Sequence, residues 1–219
     1  MKSWINKYLS VVRMTWIQSL EYKANTIVGT FAIFSGLAIE FLIWKQVFQT
    51  QAISEIRGFT FNGLMAYIFL CMIVGQLKSS WATSIEMIDS IRTGELNKYL
   101  IRPISFFTYH FMMFIGHNSL FYMVYTTLLI LFPVILPGWV FPTLLHIVGF
   151  IAALLISIYL SYSIYFCMVC CAFWFGEVKS LVIAYNIANV VLSGQIIPLK
   201  LFPVTARNII YMTPLQFLV

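Results

Sequence analysis

The chain has 219 residues, 61% of them hydrophobic and only 9% charged, with a mean hydropathy of +0.92 and a net charge of +6. An average soluble domain carries about 25% charged residues, so this composition excludes a soluble globular protein and makes the chain a membrane protein. The basic excess reads as an orientation signal rather than a nucleic-acid footprint, because no basic and aromatic binding pattern accompanies it.

Residues 1–25 hold no span. Ile5, Leu9, Val12, Trp16 and Leu20 recur at helical spacing, while Lys2, Asn6, Lys7, Ser10 and Arg13 lie elsewhere. This predicts an amphipathic helix in the headgroup layer. No compact apolar stretch follows Lys2, which argues against a cleaved signal peptide.

A crossing helix needs about 20 mostly apolar residues. Runs of that kind predict spans over 26–48, 59–77, 106–132, 141–175 and 181–199. The last can only just cross. Pro133 to Pro142 predicts a tight uncharged turn, and Gly176 to Ser180 separates spans four and five. After span five, Pro203 can open a short helix that Pro214 closes. A sixth span is expected beyond it and is not present, through either a fragment or a natural truncation.

Between spans two and three lies a charged island, Lys78 to Arg102, with seven of the chain's twenty Lys, Arg, Asp and Glu residues. Trp81, Ile85 and Ile88 form an apolar stripe at helical spacing, and Asp89 and Arg92 are spaced for an i, i+3 pair. Gly94 is placed to end this helix in a left-handed cap. A short helix from Glu95 to Ile101 must stop before Pro103. The segment is either a solvated loop with surface ion pairs or a docking element for a cytoplasmic protein, with Leu96, Tyr99 and Leu100 as its apolar residues. With the N-terminus inside, nine basic residues fall on the cytoplasmic side and four outside, which favours that orientation.

Other residues carry weaker signals. Glu40, the only acid within a clear span, can line the outer part of a transport path, pair with Lys45 or Arg57, or snorkel. Asn186 and Asn189 share a face with Ser193; packing between helices is favoured over lining a path. Tyr159, Tyr162 and Tyr165 are spaced by three along span four. His117 with Asn118 suits a cross-helix hydrogen bond. His110 and His146 lie near opposite membrane faces, which argues against a three-histidine metal site. Cys167, Cys170 and Cys171 share a helix face and read as packing residues. No GxxxxGK cradle for phosphates occurs, so ATP and magnesium would have to be held by another subunit.

The pattern Ile91-x-x-Gly94-x-Leu96-x-x-x-Leu100-x-Arg102-Pro103-Ile-Ser resembles the permease subunits of type-2 ABC exporters, in particular the daunorubicin-resistance-like and uncharacterised bacterial export permeases. Tyr22-Lys-Ala-Asn25 ahead of span one fits, as do Ser193-Gly-Gln-Ile-Ile-Pro198 and Leu201-Phe-Pro203. The resemblance implies an all-α polytopic membrane protein in the bacterial cytoplasmic membrane, with its N-terminus cytoplasmic and usually six spans. It implies that the N-terminal helix lies against a soluble ATPase subunit. A coupling helix within 78–105 would dock on that subunit through Glu86, Asp89, Ile91, Arg92, Gly94, Glu95, Leu96, Leu100, Arg102 and Pro103. An extracellular re-entrant hairpin, with Ser193, Gly194, Pro198, Phe202 and Pro203, would cap the exit from residue 193 through 214. Glu40, Asn186 and Asn189 are the candidates for the path. The implied function is ATP-driven export of a lipid-like, drug-like or peptide substrate through a path shared with a second permease, the same or different. The alternatives are an ion-coupled carrier, for which Glu40 is the sole support, and a membrane enzyme acting on lipids, for which no paired catalytic groups are seen.

Overall fold

The computed structural model describes residues 2–21, 23–51, 55–101, 104–135 and 143–213. Helix α1 covers Lys2–Glu21 and α2 covers Lys23–Gln51. At 1.5 Å per residue α2 is about 44 Å long, enough to cross a bilayer with a turn or more to spare. It is followed by a small antiparallel hairpin, β1 (Glu55–Ile56) and β2 (Phe59–Thr60), with Glu55 opposite Thr60. The hairpin turns on Arg57 (φ 48°) and Gly58 (φ 85°), the pair of positive φ values that a two-residue type I′ turn needs.

Thr60 caps the next helix, accepting from the Gly63 N–H at 3.2 Å. Helices α3 (Phe61–Leu77) and α4 (Trp81–Arg92) together form one 32-residue apolar segment. A bilayer uses about 20 of those residues, so α4 stands largely beyond it. The carbonyls at the α3 end are not wasted. Leu77 accepts from Tyr122 at 3.3 Å and Lys78 accepts from Ser161 at 3.1 Å. Lys78, expected at the edge of a water-facing island, is therefore only 1% exposed, because it caps α3 inside the bundle.

The short α5 (Asn97–Leu100) precedes α6 (Phe106–His117) and α7 (Ser119–Ile135), which meet at a bend of 49°. Span three was expected to be one helix. Its break is local: Asn118 donates to the Phe114 carbonyl at 3.1 Å and Ser119 to the Gly116 carbonyl at 2.5 Å. Asn118 thus bonds within its own helix and not across helices. Helix α7 runs on past Pro133 to Ile135, and 136–142 of the expected turn lies outside the described residues.

Helix α8 (Leu144–Cys170) continues into a 3-10 turn (Cys171–Phe173) and is followed by α9 (Lys179–Leu192). A second 3-10 turn (Leu199–Leu201) and α10 (Val204–Tyr211) follow. Of the five expected spans, the described residues contain three helical segments long and apolar enough to cross, plus α6 and α7 as a bent fourth. The fifth run differs. Its 14-residue helix rises about 21 Å, less than the ~30 Å of hydrocarbon. Gly194, at φ 83°, turns the chain where a longer helix was expected.

The N-terminal helix is seated on the bundle by its small polar face. Its protein-facing residues are Tyr8 and Thr15, both buried, while Leu9, Ile17 and Leu20 are exposed. Small side chains decide this. A Cβ on Gly116 would collide with Thr15, and Ser19 donates to the His117 carbonyl at 3.3 Å, so α1 lies directly on α6. The apolar stripe read from the sequence is left facing outward, as a helix lying in a membrane surface requires.

Candidate functional site

Helix α4 is built with two faces. Met87 and Ile88 are fully buried in a core shared with Phe114, Tyr162 and Val182. This is not a solvated loop: for a helix otherwise in water, each such side chain contributes about 1.5–3 kcal/mol. The buried stripe is Ser84, Met87 and Ile88, so Ile85 sits outside the stripe expected from sequence. Gly94 takes φ 76°, its N–H donating to the Ile91 carbonyl at 3.3 Å, while the Leu96 N–H reaches the Ser90 carbonyl at 3.1 Å. The chain folds back there, and α5 comes to lie beside α4.

Between them runs a groove of about 400 Å³ lined by Ile85, Glu86, Asp89, Glu95, Lys98 and Tyr99. Three of its side chains are acidic and one is basic. Tyr99 pins α5 to α6, with ring centroids 5.2 Å from Phe106 and 5.1 Å from His110. Burial raises the Tyr99 pKa, which keeps the phenol neutral. Lys98 contacts Glu95 at 2.5 Å, and this hydrogen bond raises the lysine's pKa.

The expected Asp89 to Arg92 pair is replaced by two longer-range ones. Asp89 meets Lys179 at 2.7 Å, and Arg92 meets Glu177 at 3.9 Å. Lys179 opens α9 and Glu177 lies two residues before it, so the island is tied to that helix. Glu86 has no ion-pair partner among the described residues. Arg102, Pro103 and the side chain of Leu100 lie outside the described residues.

Two turns further along α9, Asn186 and Asn189 line a cavity of about 360 Å³ between α2, α3, α8 and α9. Tyr165 donates to Asn186 Oδ1 at 3.0 Å. Asn189 is 5% exposed, and its Oδ1 has no hydrogen-bond partner among the described residues. Gln76 and Gln195 add two more amides. Of the expected tyrosine row, Tyr162 is buried and donates to the Phe107 carbonyl at 2.9 Å, Tyr165 faces the cavity, and Tyr159 is exposed. Glu40 is not brought to the cavity. It accepts from the Trp44 indole at 3.0 Å, while Lys45 lies over the Phe41 ring and Arg57 is engaged elsewhere.

Arg57 holds the segment that begins at Ser193. Its guanidinium donates to the Lys200 carbonyl at 2.8 Å and the Phe202 carbonyl at 3.0 Å. Tyr67 donates to the Gly194 carbonyl at 3.0 Å. A Cβ on Gly75 would collide with the Gln195 amide, so glycine is required for this approach. Ser193 is buried, Pro198 precedes the 3-10 turn and Pro203 precedes α10, with Phe202 between them. Pro214 lies outside the described residues. Tyr67 and Gly75 were not singled out from sequence, Arg57 was named only as a candidate partner of Glu40, and Gln195 only within the Ser193 to Pro198 motif. Only Gly58, between Ile56 and Phe59, offered a signal, since glycine supplies the positive φ of a tight turn.

A family model described as ABC-2 family transporter protein matches residues 34–219. No curated protein and no solved structure matches the chain. The matched region takes in the groove, the cavity and the segment held by Arg57. It stands at the level of the family and does not extend to the daunorubicin-resistance-like group. The chain belongs to the ABC-2 family and is a membrane permease component of an ABC transporter.

Proposed function

We propose that this permease is driven by a separate ABC ATPase that seats on the groove between α4 and α5. The observation that carries this reading is the construction of α4. Its inner face is locked into the bundle core, and its outer face presents charge with Glu86 unpaired among the described residues. A partner pressing on this groove moves a rigid helix rather than a loop. The Asp89 to Lys179 contact passes that displacement to α9, whose later turns line the cavity. The sequence carries no phosphate cradle of its own, so hydrolysis, with ATP and magnesium, belongs to the partner.

In this reading the island and the N-terminus are cytoplasmic, the membrane is the bacterial inner membrane, and the segment from Ser193 to Pro214 caps the exit. A second permease completes the pathway, and the exposed apolar residues Phe31, Ile39 and Leu42 of α2 are the surface it shares with lipid. The substrate is lipid-like, drug-like or a peptide.

The test is stimulation of the cognate ATPase by the permease in nanodiscs. Reversing charge at Glu86, Asp89 and Arg102 together should abolish stimulation while membrane insertion and the oligomeric state stay intact. Full stimulation by that triple variant sinks the docking proposal.

A further inference from the structure

We propose that the cavity between α2, α3, α8 and α9 binds the uncharged, hydroxyl-rich headgroup of an amphipathic molecule. The proposal deepens the exporter reading by naming a substrate class, and it rests on the chain lying in a bilayer as that reading has it.

The cavity has two chemically distinct walls. Helix α2 contributes Gly29, Ala32 and Gly36, with no polar side-chain atom among them. The opposite wall presents the amides of Gln76, Asn189 and Gln195. An apolar chain suits the first wall and a hydrogen-bonding group suits the second. At about 30 Å³ per water, the volume holds roughly a dozen waters, which is room for a group of monosaccharide size.

Asn189 selects among headgroups. Its side chain is almost wholly buried, yet its carbonyl oxygen accepts from no described residue. A buried acceptor left without a donor carries the full cost of its desolvation. A cavity ligand gains from this oxygen only by donating to it directly. Asn186 Oδ1 is already taken by Tyr165, so the N–H groups of Asn186 remain to donate in turn. A hydroxyl both donates and accepts, and satisfies both demands. A quaternary ammonium donates nothing, and an ionised phosphate accepts only. No described carboxylate lines the cavity to attract a cation, and its single formal charge among the described residues is the buried Lys78. Gly75 matters here as well, since its missing Cβ is what lets the Gln195 amide reach across α3.

The test uses the full chain in nanodiscs holding equal amounts of monoglucosyl diacylglycerol, phosphatidic acid and phosphatidylcholine with matched acyl chains. Lipids that stay with the protein on release are counted by native mass spectrometry. The glucolipid should be enriched about tenfold, the discrimination expected when one buried oxygen is paired or left unpaired. Asn189→Leu should remove that enrichment without lowering the thermal midpoint, because it breaks no side-chain hydrogen bond among the described residues. Gln195→Met, which keeps the packing on Gly75 and removes the amide, should lower it as well and covers the case where Asn189→Leu misfolds. Free glucose added at millimolar excess separates the sources: competition assigns recognition to the headgroup alone, and enrichment without competition assigns it to a lipid-borne headgroup. Equal retention of the three lipids, or enrichment unchanged in both variants, overturns the proposal. No ATPase is needed, so failure here and failure of the docking proposal are told apart.

Discussion

The two ends of this bundle are held by different physics. At the island end, α4 and the connection into α9 are joined by charged side chains that meet other charged side chains, Asp89 with Lys179 and Arg92 with Glu177. At the other end, Arg57 and Tyr67 donate to backbone carbonyls, and a glycine in α3 admits a glutamine. Exposed ion pairs are weak, are screened by salt and can change partners. Bonds to backbone carbonyls fix a chain path whatever side chains it carries. The island is thus built to exchange contacts, and the segment after Ser193 to keep its shape.

Substitutions at four positions, Gly75, Arg57, Tyr67 and Asp89, break or sharpen that contrast. The largest effect is expected at Gly75→Val, which overfills the approach of Gln195 and costs about 1–3 kcal/mol. It should lower the thermal midpoint and raise hydrogen exchange around Gly194 while leaving ATPase stimulation at the groove in place. Arg57→Ala removes two charge-assisted bonds at an exposed site and should cost about 1–2 kcal/mol, read as faster exchange over Leu199 to Phe202. Arg57→Lys should recover only part of this, because an ammonium lacks the planar fork. Tyr67→Phe should cost about 1 kcal/mol, with the exchange change confined to the turn at Gly194. The smallest effect on stability belongs to Asp89→Ala, below about 1 kcal/mol and vanishing at high salt. Its effect on ATPase coupling should be much larger than its effect on melting. A melting loss at Asp89 as large as that at Gly75 would erase the distinction between the two ends.

Local rules explain what was legible. The long apolar runs of α2, α3 and α8 announce themselves by length, and Gly94 by its place between two helical patterns. The i, i+3 rule suggested Asp89 with Arg92 because it sees only one helix, whereas Lys179 is brought beside Asp89 by the packing of α4 on α9. The bend in span three hid for a similar reason. Its sequence carries no Lys, Arg, Asp or Glu, and the break is made by Asn118 and Ser119 bonding to carbonyls one turn back. Asn186 and Asn189 were visible as a pair, but that they share a cavity wall with Gln195 depends on a turn at Gly194 that the apolar run concealed. Glu40 drew notice because an acid in a span is costly, and the indole of Trp44 one turn away meets part of that cost.

The seat of α1 on Gly116 has a consequence for assembly. Thr15 and Ser19 are synthesised about a hundred residues before the surface they pack against. At roughly 5–20 residues per second, the first helix waits on the order of ten seconds for its partner. Through that interval it has only the membrane surface to rest on, and its outward stripe of Leu9, Ile17 and Leu20 gives it a means of doing so. The residues that look least committed in the finished molecule are those that keep the nascent chain in place until span three is inserted.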